Sequence, residues 1–150
     1  MPQERSAGAV IFRKERGGSG KPERVLYLLL HYESGHWDFV KGKIEGGETE
    51  KETVMRESEE EAGIKDLRFI EGFSEKVAYS YRERGRTVHK EVTFFLAETS
   101  TADVRLSHEH QDYAWLGYED AAERLTFSNA EKVIEKADSF LNGHLKKDKK

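Results

Sequence analysis

The stretch between Thr49 and Gly63 constrains this chain more than any other part of it. Residues 50–62 contain neither glycine nor proline and are rich in Glu, Lys, Arg and Met, side chains that mostly lose little rotamer freedom in a helix. Thr49 stands where an N-cap hydroxyl is wanted, and Gly63 where a left-handed stop is wanted. A helix over 50–62 is therefore expected, and its faces can be worked out from spacing alone. With Glu57 set at zero and about 100° per residue, Glu61 falls at about +40°, Glu60 at about −60° and Glu59 at about 200°. Glu57, Glu60 and Glu61 thus share one side, and Glu59 does not. Val54, Ser58 and Ala62 lie at roughly 60° to 140°, so the acidic stripe borders the stripe that should pack on a sheet.

Acids crowded in this way repel: like charges four residues apart destabilise a helix by roughly 0.2–0.5 kcal/mol per pair. A bound cation would offset that repulsion. The chain has no cysteine, which excludes thiolate sites and disulfides. Carboxylate oxygens suit a hard ion, Mg²⁺ or Mn²⁺, that keeps waters and can bridge to phosphates. A run of glutamates alone would ordinarily be a solvated face. Here the run belongs to a longer pattern of Gly42, Glu48, Arg56, Glu57, Glu60, Glu61 and Gly63.

The rest of the chain reads as one domain over residues 1–150. Two β-rich runs at 7–13 and 25–32 flank a Gly-rich turn and predict a hairpin. That turn is not a phosphate-binding loop, because Glu15 replaces its first glycine and Pro22 its Ser or Thr. Runs at about 67–81 and 87–98 predict a second, longer hairpin turning around Gly85. A short strand at about 113–116, a helix from near Glu119 and a helix at 128–141 follow, the last with Val133, Ile134, Ala137 and Leu141 at helical spacing. Residues 146–150 read as a flexible basic tail. Strands on both sides of the first helix, with helices at the end, suggest an α+β protein built as an α/β/α sandwich, a mixed sheet with helices on both faces.

No apolar run is long enough to span a bilayer and no secretory signal is read, so a cytoplasmic protein without membrane partners is expected. The formal net charge of −4 argues against general nucleic-acid binding, which needs a broad excess of Lys and Arg. A phosphate-rich small molecule would need cations gathered locally, and Lys41 and Lys43, which flank Gly42, are placed for that. A monomer or weak dimer is expected.

The pattern over residues 42–64 resembles the Nudix box, with Ser58 where that family usually has an aliphatic residue. The resemblance implies the Nudix fold and hydrolysis of a nucleoside polyphosphate. Glu57, Glu60 and Glu61 would bind divalent ions with the Gly42 carbonyl, and Glu48 would pair with Arg56 to hold the loop on the helix. Water would attack phosphorus, with Glu57 or Glu109 taking its proton. Further stretches, His36-Trp37-Asp38-Phe39-Val40-Lys41-Gly42-Lys43 and Arg105-Leu106-Ser107-His108-Glu109-His110-Gln111 with Trp115-Leu116-Gly117, are similar to the branch of the family that splits dinucleoside tetraphosphates asymmetrically, diadenosine tetraphosphate giving ATP and AMP. In that branch Glu109 would add a metal-binding or basic carboxylate, Lys41, Lys43 and Lys90 would meet the phosphates, and Tyr79 and Phe127 would stack on adenine. Other readings keep the box with a different substrate, an RNA 5′ end or an inositol pyrophosphate, or make the chain a nucleotide-binding module without turnover.

Several of these residues also have plainer readings. Phe127 could anchor the last helix in the core, and Tyr79 could simply line a strand face at period two. Lys90 could be an ordinary surface charge. His108 and His110 could form an imidazole metal pair, although they lack further imidazole or thiolate partners.

Overall fold

The computed structural model describes residues 3–20 and 22–148. Strand β1 (Gln3–Glu15) is buried from Ser6 to Phe12, because both of its faces are covered. Ala7, Ala9 and Ile11 join one apolar cluster, and Val10 and Phe12 join the other. A strand covered on both sides reads as a continuous apolar run rather than an alternating one. It pairs antiparallel with β2 (Arg24–Tyr32) and parallel with β6 (Arg86–Glu98). Among the described residues the sheet has 7 strands in the order β3-β2-β1-β6-β5, with β4 also on β1 and β7 on β2. Here β3 is Trp37–Asp38, β4 is Val40–Lys43, β5 is Arg68–Glu83 and β7 is His110–Leu116. The expected mixed sheet is present, and so are helices on both faces. Helix α1 (Glu50–Ala62) packs on β1 and β4, whereas α2 (Tyr118–Arg124) and α3 (Ser128–Asp148) cover the opposite side.

Helix α1 begins and ends where its caps dictate. The Thr49 hydroxyl accepts from the Glu52 N–H at 3.1 Å, and the Glu52 carboxylate accepts from the Thr49 N–H at 2.9 Å. That reciprocal pair satisfies two orphan donors of the first turn. Gly63 closes the helix at φ 69°, in the left-handed region that side chains with a Cβ avoid. Val54, Ser58 and Ala62 are fully buried against the sheet, as the helical spacing requires. Ser58 has a specific reason to be polar there: its hydroxyl donates to the Ile64 carbonyl at 3.1 Å. Ser58→Ala should therefore lower stability by about 1–3 kcal/mol, read as a lower urea midpoint with unchanged m-value.

The hairpin of β5 and β6 is longer than the sequence suggests and is not regular. Its register shifts between Phe69 and Ser74, where Gly72 takes φ 95° beneath the Phe140 ring. Helix α3 runs past the expected Leu141 to Asp148, and Leu145, Lys146, Lys147 and Asp148 include no breaker. Residues 149–150 lie outside the described residues. Among the described residues no helix is long and apolar enough to cross a membrane.

Candidate active site

Arg56 organises the loop before α1. Its Nε and Nη2 donate to the two carboxylate oxygens of Glu48 at 2.8 and 3.0 Å, the bidentate geometry that fixes orientation as well as distance. Nη2 also donates to the Lys43 carbonyl at 3.0 Å, and Nη1 to Glu57 Oε1 at 2.6 Å. One guanidinium thus ties β4, the loop and the helix together. Hydrogen bonding to Arg56 holds the Glu48 carboxyl down to about 2. The pairing expected from the sequence is present, and it makes Glu48 and Arg56 a brace.

The three acids of the helix face lie on one side but at different depths. Glu61 is buried, accepting from the Lys41 N–H at 3.0 Å. His110 Nε2 lies 3.0 Å from its other carboxylate oxygen. Glu57 is half-buried and Glu60 exposed, and Arg56 Nη1 lies 2.6 Å from the first and 3.3 Å from the second. Burial raises the Glu57 carboxyl, Arg56 opposes that rise, and the neighbouring charges of Glu61 and Glu60 add to it. Burial likewise raises Glu61, against the pull of His110. Gly42 lies under this face: a Cβ there would overlap the carboxyl carbon and Oε1 of Glu57. Only a glycine lets β4 run this close beneath an ionisable side chain.

Glu109 is exposed, on the turn before β7. Its charge reaches Glu61, and its backbone carbonyl accepts from the Glu33 N–H at 3.1 Å. Among the described residues no group of three or more His, Asp and Glu side chains closes into a cage for an ion. The acids form an open face, the kind of donor set that leaves positions for water and phosphate oxygens. His108 and His110 do not form an imidazole pair for a metal, because His110 is turned inward to Glu61 and edge-on to Tyr32 at 4.5 Å.

Next to this face lies a cleft of ≈ 280 Å³ whose walls include Lys41, Asp38, Tyr79, Phe94, Phe127 and Asn129. Lys41 belongs to both, with its N–H on Glu61 and its ammonium on Asp38 at 2.9 Å. Burial works against the Lys41 charge, but Asp38 more than offsets it. Tyr79 and Phe127 are the large hydrophobic side chains left exposed among the described residues, at 37% and 49%. Phe127 is therefore not the buried core anchor that its apolar character alone would suggest. It stands at the start of α3, and His36 flanks it with ring centroids 5.3 Å apart.

Lys90 is on the sheet near Lys41 and Lys43. Burial and then the Lys41 charge lower its pKa. Lys43 is not part of the cleft wall and pairs with Glu4 at 3.1 Å. The sequence reading quoted His36 and Asp38 within a longer stretch but gave them no role, and it missed Glu4. Asp38 and Lys41 stand three residues apart, a local signal for their pairing, whereas Glu4 meets Lys43 only through β1 and β4.

A NUDIX domain model matches residues 2–137. The chain is 37% identical over 143 residues to the asymmetrical bis(5′-nucleosyl)-tetraphosphatase of Sus scrofa, covering 91% of this chain and 95% of the relative. It is 33% identical over 144 residues to the enzyme of the same description from Caenorhabditis elegans, covering 93% and 97%. The crystal structure of a C. elegans Ap4A hydrolase binary complex superposes with a TM-score of 0.79 and 33% identity, covering 93% of this chain and 98% of that one. With the box geometry, the mixed sheet and these relatives in agreement, the chain belongs to the Nudix hydrolase family.

Proposed function

We propose that this chain hydrolyses dinucleoside tetraphosphates asymmetrically, diadenosine tetraphosphate giving ATP and AMP. The observation that carries this reading is the junction at Lys41, where an open face of acids meets a cleft with two exposed aromatic rings. The relatives described as asymmetrical tetraphosphatases support it.

Glu57, Glu60 and Glu61 would hold a divalent ion, Mg²⁺ or Mn²⁺, with the Gly42 carbonyl and Glu109 as further oxygen donors. The donor chemistry suits such an ion, being rich in carboxylates on one helix face and without thiolate. When bound, it supplies charge to the phosphate oxygens and acidity to the attacking water. The residues themselves do the rest. Glu57 has one oxygen held by Arg56, so its other oxygen would either hold the ion, with Glu109 taking the proton of the water, or take that proton itself. Water oxygen bonds to phosphorus, one bridging P–O bond breaks, and the leaving phosphate carries away the electron pair. Lys41 and Lys90 would meet the phosphate chain, and Lys43 would do so once freed from Glu4. Tyr79 and Phe127 would stack on adenine.

Incubating the protein with Mg²⁺ and diadenosine tetraphosphate should yield ATP and AMP in equal amounts; two ADP, or no turnover, would count against the reading. A panel adding triphosphate-ended RNA and an inositol pyrophosphate should rank the dinucleotide first by kcat/KM. Phe127→Ala should raise KM for the dinucleotide about tenfold with kcat little changed, since base stacking contributes about 1–3 kcal/mol per base.

A further inference from the structure

An acid sits inside the basic patch. Glu4 of β1 is aligned with Lys90 of β6 in the parallel ladder, and its Oε1 lies 3.1 Å from the Lys43 ammonium. Its other oxygen accepts from the Tyr81 hydroxyl at 3.0 Å. The hydrogen bond to Lys43 holds the Glu4 carboxyl below the ordinary carboxylate range, with Tyr81 and the charge of Lys90 acting the same way. On the other side of the patch Lys41 is paired with Asp38 at 2.9 Å. The patch therefore offers an incoming anion few unpaired positive charges.

A carboxylate held by an ammonium and a phenol has the same partners that a phosphate oxygen would seek: a cation and a hydroxyl donor. Glu4 is not buried like Asp38. Its side chain keeps 23% of its surface in solvent and that of Lys43 keeps 69%. The ion pair can therefore open without burying an unpaired charge, and exposed pairs of this kind are weak enough to be displaced. Asp38, at 4% side-chain exposure, cannot leave Lys41 so readily.

Resting on the proposed function, we propose that Glu4 is a built-in competing anion, a specificity-determining residue that occupies Lys43 until a polyphosphate displaces it. A polyanion long enough to reach Lys43 must break the Glu4 pair and then lie beside its charge. A short anion bound only at Lys41 and Lys90 gains nothing from doing so. Glu4 thereby weakens the binding of long polyphosphates to a level from which products can leave.

Calorimetric titration of the intact protein with inorganic tripolyphosphate at low salt tests this independently of turnover. Glu4→Gln keeps the size of the side chain and the acceptor for Tyr81. It should bind tripolyphosphate about three- to fivefold more tightly, the range expected when one exposed charge pair is removed. The gain should shrink at high salt. KM for the dinucleotide should fall by a similar factor with kcat unchanged or slightly lower, as product leaves more slowly. In a Lys43→Gln background the same Glu4→Gln change should gain clearly less, because the contested cation is gone. Unchanged or weaker tripolyphosphate binding by a folded Glu4→Gln protein, or an equal gain in both backgrounds, would overturn the proposal. Failure of the dinucleotide assay with these binding results intact would instead reject the substrate reading alone.

Discussion

Glu57→Gln should lower turnover about 10³-fold, within the range by which a positioned acid or base contributes to catalysis, while leaving the fold in place. The amide keeps the volume of the side chain and an oxygen for Arg56, which donates to Oε1 at 2.6 Å. It loses the charge that a divalent ion needs and the basicity that a proton needs. Because Glu57 lies on the solvent side of the Val54, Ser58 and Ala62 stripe, the far-UV spectrum and the thermal midpoint should change little. Turnover within tenfold of the parent would remove Glu57 from both the metal set and the general base. The turnover of the parent separates an enzyme from a nucleotide-binding module, since a module would have none for the substitution to lower.

Gly42→Ala should have an effect of the same kind from the opposite side. An added Cβ would overlap the Glu57 carboxyl, and that carboxyl, on a flexible side chain, would shift before the paired strand β4 did. Gly42 is not among the residues at positive φ, so alanine fits the backbone and the damage falls on the site. Displacing a reacting group by about 1 Å can reduce the rate about 10²-fold. Assays should show kcat/KM down by about that factor with a small change in thermal midpoint. Full activity would mean that the close approach of β4 to the acid is incidental.

What the sequence made legible was local. The caps of α1 follow from Thr49, Glu52 and Gly63 within one helix, and the positions of Val54, Ser58 and Ala62 follow from its period. The Arg56 brace also spans a short distance along the chain and was foreseeable from charge and spacing. Strands β3 and β4 were not legible, because Trp37–Asp38 is two residues long and Val40–Lys43 carries a glycine and two lysines. Nothing in so short a run reports a period of two. Their pairing depends on β2 and β1, which supply the partners.

Long-range partners were hidden for the same reason. Glu61 meets His110, and Lys43 meets Glu4, only once the sheet has brought separate segments together. Phe127 shows the limit of reasoning from hydrophobicity. It lies at the head of α3 beside buried Ala130 and yet remains 49% exposed. Which side of a helix start faces the core depends on the direction from which the helix enters. Here the turn before α3 is tied to β3: the Trp37 N–H donates to the Thr126 hydroxyl at 2.8 Å, and the Thr126 N–H donates to the Trp37 carbonyl at 3.3 Å. That two-way link leaves Phe127 facing the cleft.

Crystals grown with Mn²⁺ and a non-hydrolysable dinucleoside polyphosphate, with data collected at the manganese edge, test the metal assignment most directly. Anomalous density should lie among the carboxylates of Glu57, Glu60 and Glu61 above Gly42, in contact with a phosphate oxygen. Manganese bound elsewhere, with those three side chains turned outward and the polyphosphate lying away from them, would contradict it.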